Sequence, residues 1–165
     1  MPPQTIQAYP PSTKILFGNC DTVLIHTGMG GGISNLQVAQ VCLIFQPVGS
    51  SAVWDAEVFL VFVYAESFEF AGLHRDTNGT ILQEPDVQMF LLQRGYRPTN
   101  PSGKTVKAGG IYQLDAVFIP VDIIPVFRKV MDRRLNATNC HELPTTFYLN
   151  NFSDKETYNT FMSEF

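Results

Sequence analysis

Val58-Phe59-Leu60-Val61-Phe62-Val63-Tyr64 is an unbroken run of apolar, β-branched and aromatic residues, and its reading decides the fold. Such a composition belongs to a strand covered on both faces. A buried helix needs at least about ten residues of this kind and a membrane span about twenty, so the run is too short for either. Ala56 to Ala65 is therefore expected as a central strand. Beyond it the pattern turns to alternation, with Phe68 and Phe70 between Ser67, Glu69 and Ala71, so that one face meets water.

Toward the amino terminus, Lys14 to Phe17 reads as a short strand, Thr22 to Thr27 as a second with Val23 and Ile25 on one face, and Leu36 to Phe45 as a third. Pro2, Pro3, Pro10 and Pro11 make the first twelve residues an extended arm, because proline removes backbone donors. Toward the carboxyl terminus, Asn78-Gly79 predicts a hairpin between Phe68 to Leu73 and Thr80 to Gln83. Pro85 to Arg94 has Val87, Phe90 and Leu91 at helical spacing, with Gly95 to end it. Thr105 to Ala108 and Ile111 to Ile119 read as strands around a Gly109-Gly110 turn. Asp122 is placed to cap a second helix running to about Leu135. Thr145 to Leu149 is a last strand, and Ser153-Asp154-Lys155-Glu156 opens a final helix as a capping box. The fold class is mainly β (α+β): an antiparallel β-sandwich or β-sheet of about seven strands with about three short helices. Residues 1–12 form the arm and 13–165 a single β-rich domain.

The chain has 165 residues, 15 acidic against 11 basic, a net charge of −4, and only 16% charged residues, where about 25% is usual. Charge depletion is a property of interface cores, and it points to association. An acidic chain with no polybasic arm does not suit nucleic acid, and no run is long enough for a membrane span. No signal peptide is visible. Three widely spaced cysteines, Cys20, Cys42 and Cys140, suggest reduced thiols in an intracellular, reducing compartment rather than a disulfide framework.

Motifs with chemical meaning dissolve on inspection. Gly28 to Gly32 follows a strand, yet Ile33 stands where a dinucleotide fingerprint needs its third glycine. Ser102-Gly103-Lys104-Thr105 looks like the end of a phosphate loop, with Pro98 where the first glycine belongs. His26, His74 and His141 lack metal-ligand spacing. Cys140-His141-Glu142 places a thiol beside an imidazole, but neighbours on an extended chain point apart. Glu57, Glu66, Glu69, Asp115 and Asp122 read as solvated strand ends, and three Asn-x-Ser/Thr patterns, at Asn78, Asn136 and Asn151, mean little without secretion. No catalytic residue, cofactor or metal is expected.

The reading is a non-catalytic, self-associating structural or assembly subunit, a homo-oligomer or a partner of other assembly proteins, of the type that builds viral or phage coats and tails. Its interface would use Pro10, Pro11, Phe59, Phe62, Tyr64, Phe68 and Phe70, while Arg128, Lys129, Arg133 and Arg134 would contact an anion or acidic partner. The alternative is a small-ligand-binding domain or enzyme walled by the Gly28–Gly32 and Tyr96–Lys104 loops. Where those loops lie discriminates the two.

Overall fold

The computed structural model describes residues 5–16, 18–28, 35–47, 60–71, 88–99, 103–127, 132–136 and 139–163. They form β1 (Ala8–Tyr9), β2 (Asn19–Cys20), β3 (Thr22–His26), β4 (Leu36–Phe45), β5 (Phe62–Phe70), β6 (Phe90–Arg94), β7 (Tyr96–Pro98), β8 (Thr105–Lys107), β9 (Gly109–Gln113), β10 (Val117–Pro120), β11 (Ile123–Pro125), β12 (Thr146–Leu149) and one helix, α1 (Lys155–Ser163). The protein is mainly β, and every strand pair described is antiparallel.

The principal sheet runs β10-β3-β4-β5-β6-β12-β11, with β9 added beside β5. Its outermost strands, β10 and β11, are joined in sequence by Val121 and Asp122 alone. So short a link spans about 10 Å at most, so the sheet must curl until its two edges nearly meet. Hydrogen bonds fix the link at both sides, from the Val121 N–H to Thr22 O at 2.8 Å and from the Asn150 N–H to Asp122 O at 2.9 Å. One curled sheet thus takes the place of two stacked ones. Each edge strand ends in proline, Pro120 and Pro125, where the missing donor costs least.

Inside the curl lie Leu24, Val38, Phe68, Phe90, Leu92, Ile123, Phe147 and Leu149, and Phe161 of α1 closes over them. Phe90 and Phe161 are tilted against each other at 5.4 Å, while Phe68 meets Phe147 edge to face at 5.3 Å. The opposite face buries Val23, Ile25, Ala39, Val41, Val63 and Ala65 beneath Ile6 and Ala8 of the arm and Ala116, Val117 and Tyr112. The arm is therefore docked on its own chain, and β1 pairs with β2.

Several expectations are corrected. Two of the three expected helices do not form in the described residues. Phe90 to Arg94 is a strand because Phe90, Leu92 and Arg94 alternate inward, a period-2 pattern that the accidental spacing of Val87, Phe90 and Leu91 obscures. Ile123 to Pro125 is also a strand, its β-branched residues pairing with β12. The third helix does form, but Asp154 caps it rather than Ser153: Asp154 Oδ1 accepts from the Thr157 N–H at 2.8 Å, and Oδ2 accepts from the Thr157 hydroxyl at 2.7 Å. Lys14 to Leu16 is a bend, with the Gly18 N–H returning to Ile15 O. Gly109 and Gly110 lie within β9, and a 3-10 turn at Leu114–Ala116 divides the expected Ile111 to Ile119 strand. The central strand runs from Phe62 on to Phe70, further along than expected; residues 56–59, the Asn78-Gly79 hairpin and residues 85–87 lie outside the described residues.

Candidate functional site

Strand β5 carries three environments along one face. Phe68 belongs to the core, Glu66 to a charged band, and Tyr64 and Phe62 to an apolar surface. The period-2 geometry of a strand puts all four on the same side.

The charged band is built around Arg94, whose side chain is fully buried. Its Nη1 donates to Gln40 Oε1 and Glu66 Oε2, each at 3.2 Å, and its Nη2 donates to His141 O. The guanidinium lies 4.7 Å from the Phe68 ring centroid and 5.7 Å from that of Phe147, a cation–π arrangement in a desolvated place. Its Nε has no hydrogen-bond partner among the described residues. Lys107 of β8 bridges outward, 2.9 Å from Glu66 and 2.6 Å from Glu142. Burial works against the Lys107 charge, yet the carboxylates of Glu142 and Glu66 outweigh it and hold the ammonium above its ordinary value. His141 moves the other way, because burial and the nearby Arg94 charge favour the neutral ring. Four cross-linked charges on β5, β6, β8 and the loop before β12 tie the curl together at one end.

Past this band the sheet narrows to a three-stranded ribbon. The register aligns Leu43, Tyr64 and Ile111 in one row and Phe45, Phe62 and Gln113 in the next. A bulge between Val41 and Leu43 turns Leu43 onto the Tyr64 side. Leu43 is 49% exposed and Ile111 64%, while Phe45 and Phe62 stack at 6.0 Å. Ile44 and Leu114 add exposed apolar area around the same ribbon. Gly109 allows β9 to sit this close, since a Cβ there would fall 2.6 Å from Ala65 O.

Of the residues expected at an interface, Phe62 and Tyr64 are on this ribbon, half-buried. Pro10 and Pro11 are exposed in the arm, away from the ladder of β5. Phe68 is buried in the core and Phe70 packs against it, so neither is presented. Phe59 lies outside the described residues, as do Arg128 and Lys129. Arg133 and Arg134 are exposed, but Arg134 is engaged with Asp132 at 2.6 Å, and its hydrogen bonds draw that carboxyl down to about 2. Sequence reading missed Leu43 and Ile111, whose adjacency depends on how β4 and β9 register against β5. It also missed Arg94, although the Phe90-x-Leu92-x-Arg94 alternation carried the signal.

Of the two proposed pocket walls, residues 29–34 and 100–102 lie outside the described residues, and the structure describes the roots of both loops. The Gly28 loop joins β3 to β4 beyond Leu36, where the Thr27 N–H meets Asn35 O. The β7–β8 hairpin leaves the sheet at Gly95 and returns at Ala108, both bonded to Ser67, which is paired with Ala39. That is one strand across and about 10 Å along β4. Shallow clefts at Asp122, Ser153 and Asp154, and at Leu60, Val61 and Leu114, are lined by neither loop. Among the described residues no His, Cys, Asp and Glu converge as three metal ligands, and no helix is long and apolar enough to cross a membrane. Asn151 of the Asn151-Phe152-Ser153 pattern is wholly buried, out of reach of a glycan-transferring enzyme in the folded chain.

A family described as "Domain of unknown function (DUF6830)" matches residues 1–79, the segment that holds β1 to β5. It includes two strands of the apolar ribbon, β4 and β5, and leaves out the third. No curated protein and no solved structure matches the chain.

Proposed function

We propose that the protein is a non-catalytic, self-associating subunit of a larger assembly, of the kind that forms coats or tails, and that its contact surface is the ribbon of β4, β5 and β9. The observation that carries this reading is the row Leu43, Tyr64 and Ile111, an apolar extension of the core face that passes beyond the Arg94 band into solvent. Contiguous exposed apolar area of this kind marks association sites. Charge depletion of the whole chain adds to it.

Light scattering across a concentration series tests it. The expected result is a mass above that of one chain that falls on dilution, and conversion to a single-chain mass in the Leu43→Lys, Ile111→Lys double variant with an unchanged circular dichroism spectrum. A wild-type protein that stays monomeric at every concentration rejects self-association. An oligomer that the double variant leaves intact rejects this surface.

A further inference from the structure

Cys20 and Cys42 are 22 positions apart in the sequence, and the fold brings them side by side. Thr22 pairs with Gln40, and the Val41 N–H donates to Asp21 O at 2.9 Å. Continuing that antiparallel ladder by two residues sets Cys20 of β2 opposite Cys42 of β4. The two sulfurs lie near enough for each to perturb the other's ionisation. Cys20 Sγ also lies 3.6 Å from Tyr9 O, and Cys42 Sγ 3.4 Å from Gln40 O. Neither cysteine is sealed in the core; both are partly exposed, and both are reduced. Cross-strand cysteines meet the Cα separation of about 4.4–6.8 Å that a disulfide requires.

We infer that Cys20 and Cys42 are a redox modification site, a dithiol that hydroperoxides convert to an intramolecular disulfide joining β2 to β4. In the first step one of the two sulfurs attacks the peroxide, an S–O bond forms, the O–O bond breaks, and hydroxide leaves to take up the thiol proton as water. In the second the other sulfur attacks the sulfenic sulfur, the S–S bond forms, the S–O bond breaks, and a second water leaves. Two thiols lose two electrons in all, and hydrogen peroxide accepts them as it becomes two waters.

The contact moves the two thiols in opposite directions. The neighbouring Cys42 thiol draws Cys20 below the ordinary thiol value against its own burial and the carboxylates of Glu142, Glu66 and Asp21. Cys42 is pushed up by the neighbouring Cys20 and by burial. The bond would fasten the arm, through β1 and β2, to the bulge where the core gives way to the apolar ribbon.

The test treats the full chain, with Cys140→Ser to remove the third thiol, with hydrogen peroxide and cleaves it on the amino side of aspartate. Cleavage before Asp21 and Asp55 separates the cysteines into peptides 1–20 and 21–54. The expected product is a monomer in which these two peptides remain joined, lighter by two hydrogen atoms at the sulfurs, and come apart on reduction. Cys20→Ser and Cys42→Ser each abolish the joined pair. Peptides recovered separately, with the sulfurs unmodified or carried to sulfinic acid, overturn the inference, as does linkage only between chains. If Cys140→Ser does not fold, the wild-type chain gives the same readout, and a bond from Cys20 or Cys42 to Cys140 in place of the Cys20–Cys42 bond overturns the inference too.

Discussion

At the scale of single residues, Arg94 shows how an ionised group is kept in an apolar core. Its guanidinium is enclosed by Phe68 and Phe147, and Glu66 supplies the neutralising charge. Removing one member of a buried pair leaves the other charge unpaired and costs about 3–5 kcal/mol. Glu66→Leu should therefore lower the urea midpoint steeply, whereas Glu142→Leu, which takes a carboxylate only from the half-buried Lys107, should cost about 1 kcal/mol. Equal losses in the two variants would show that Arg94 does not depend on Glu66. His141 adds a pH dependence. Burial, then the Arg94 charge, lowers its folded-state pKa, so its contribution is present above 6.5, the ordinary imidazole value, and is lost as pH falls through the lowered one. Urea titrations between pH 7 and 5 should show stability declining, and His141→Gln should flatten that part of the profile. These residues were hard to read in the sequence because polarity argued against them: Arg94 fell at the end of an expected helix, and Glu66 among the solvated strand ends. Phe62 and Tyr64 were legible as strand residues from their apolar composition, but the run was expected to be covered on both faces, and in the structure both are half-buried.

At the scale of elements, legibility tracked how far each segment's own pattern determines its state. Leu36 to Phe45 forms the expected strand with the expected bounds, Thr146 to Leu149 nearly so, and the final helix appears with its cap one residue later. Their periodicity agrees with their environment. Strands β6 and β11 are short, and short apolar runs fit either period, so pairing with β12 decides them. α1 depends on tertiary contact in the same way: its nine residues are below the length at which an isolated helix is stable. Its anchor is Phe161, wholly buried against Phe90. Phe161→Ala should cost about 3–5 kcal/mol and undock the helix, which hydrogen exchange would show as lost protection over 155–163 with protection in β3 and β4 retained. Protection that persists in the helix would mean that the cap at Asp154 suffices to hold it.

At the scale of the whole molecule, the governing feature is closure. β3 lies between β4 and β10, and those two neighbours come from opposite halves of the chain. Contacts so distant in sequence make folding slow, because a large loop must be ordered before they form. The short Val121-Asp122 link then brings β11 back against β12, and the core is enclosed only when both edges are in place. Lengthening that link with a few glycines should loosen closure and lower the unfolding midpoint while leaving the β4–β5 hairpin register intact, as amide exchange would report. An unchanged midpoint would mean that the edges hold by themselves. During synthesis the same arrangement has a temporal meaning. A ribosome that has released β3, β4 and β5 has released an edge strand whose partner has not yet been translated, so that edge stays open to mispairing until Val117 emerges.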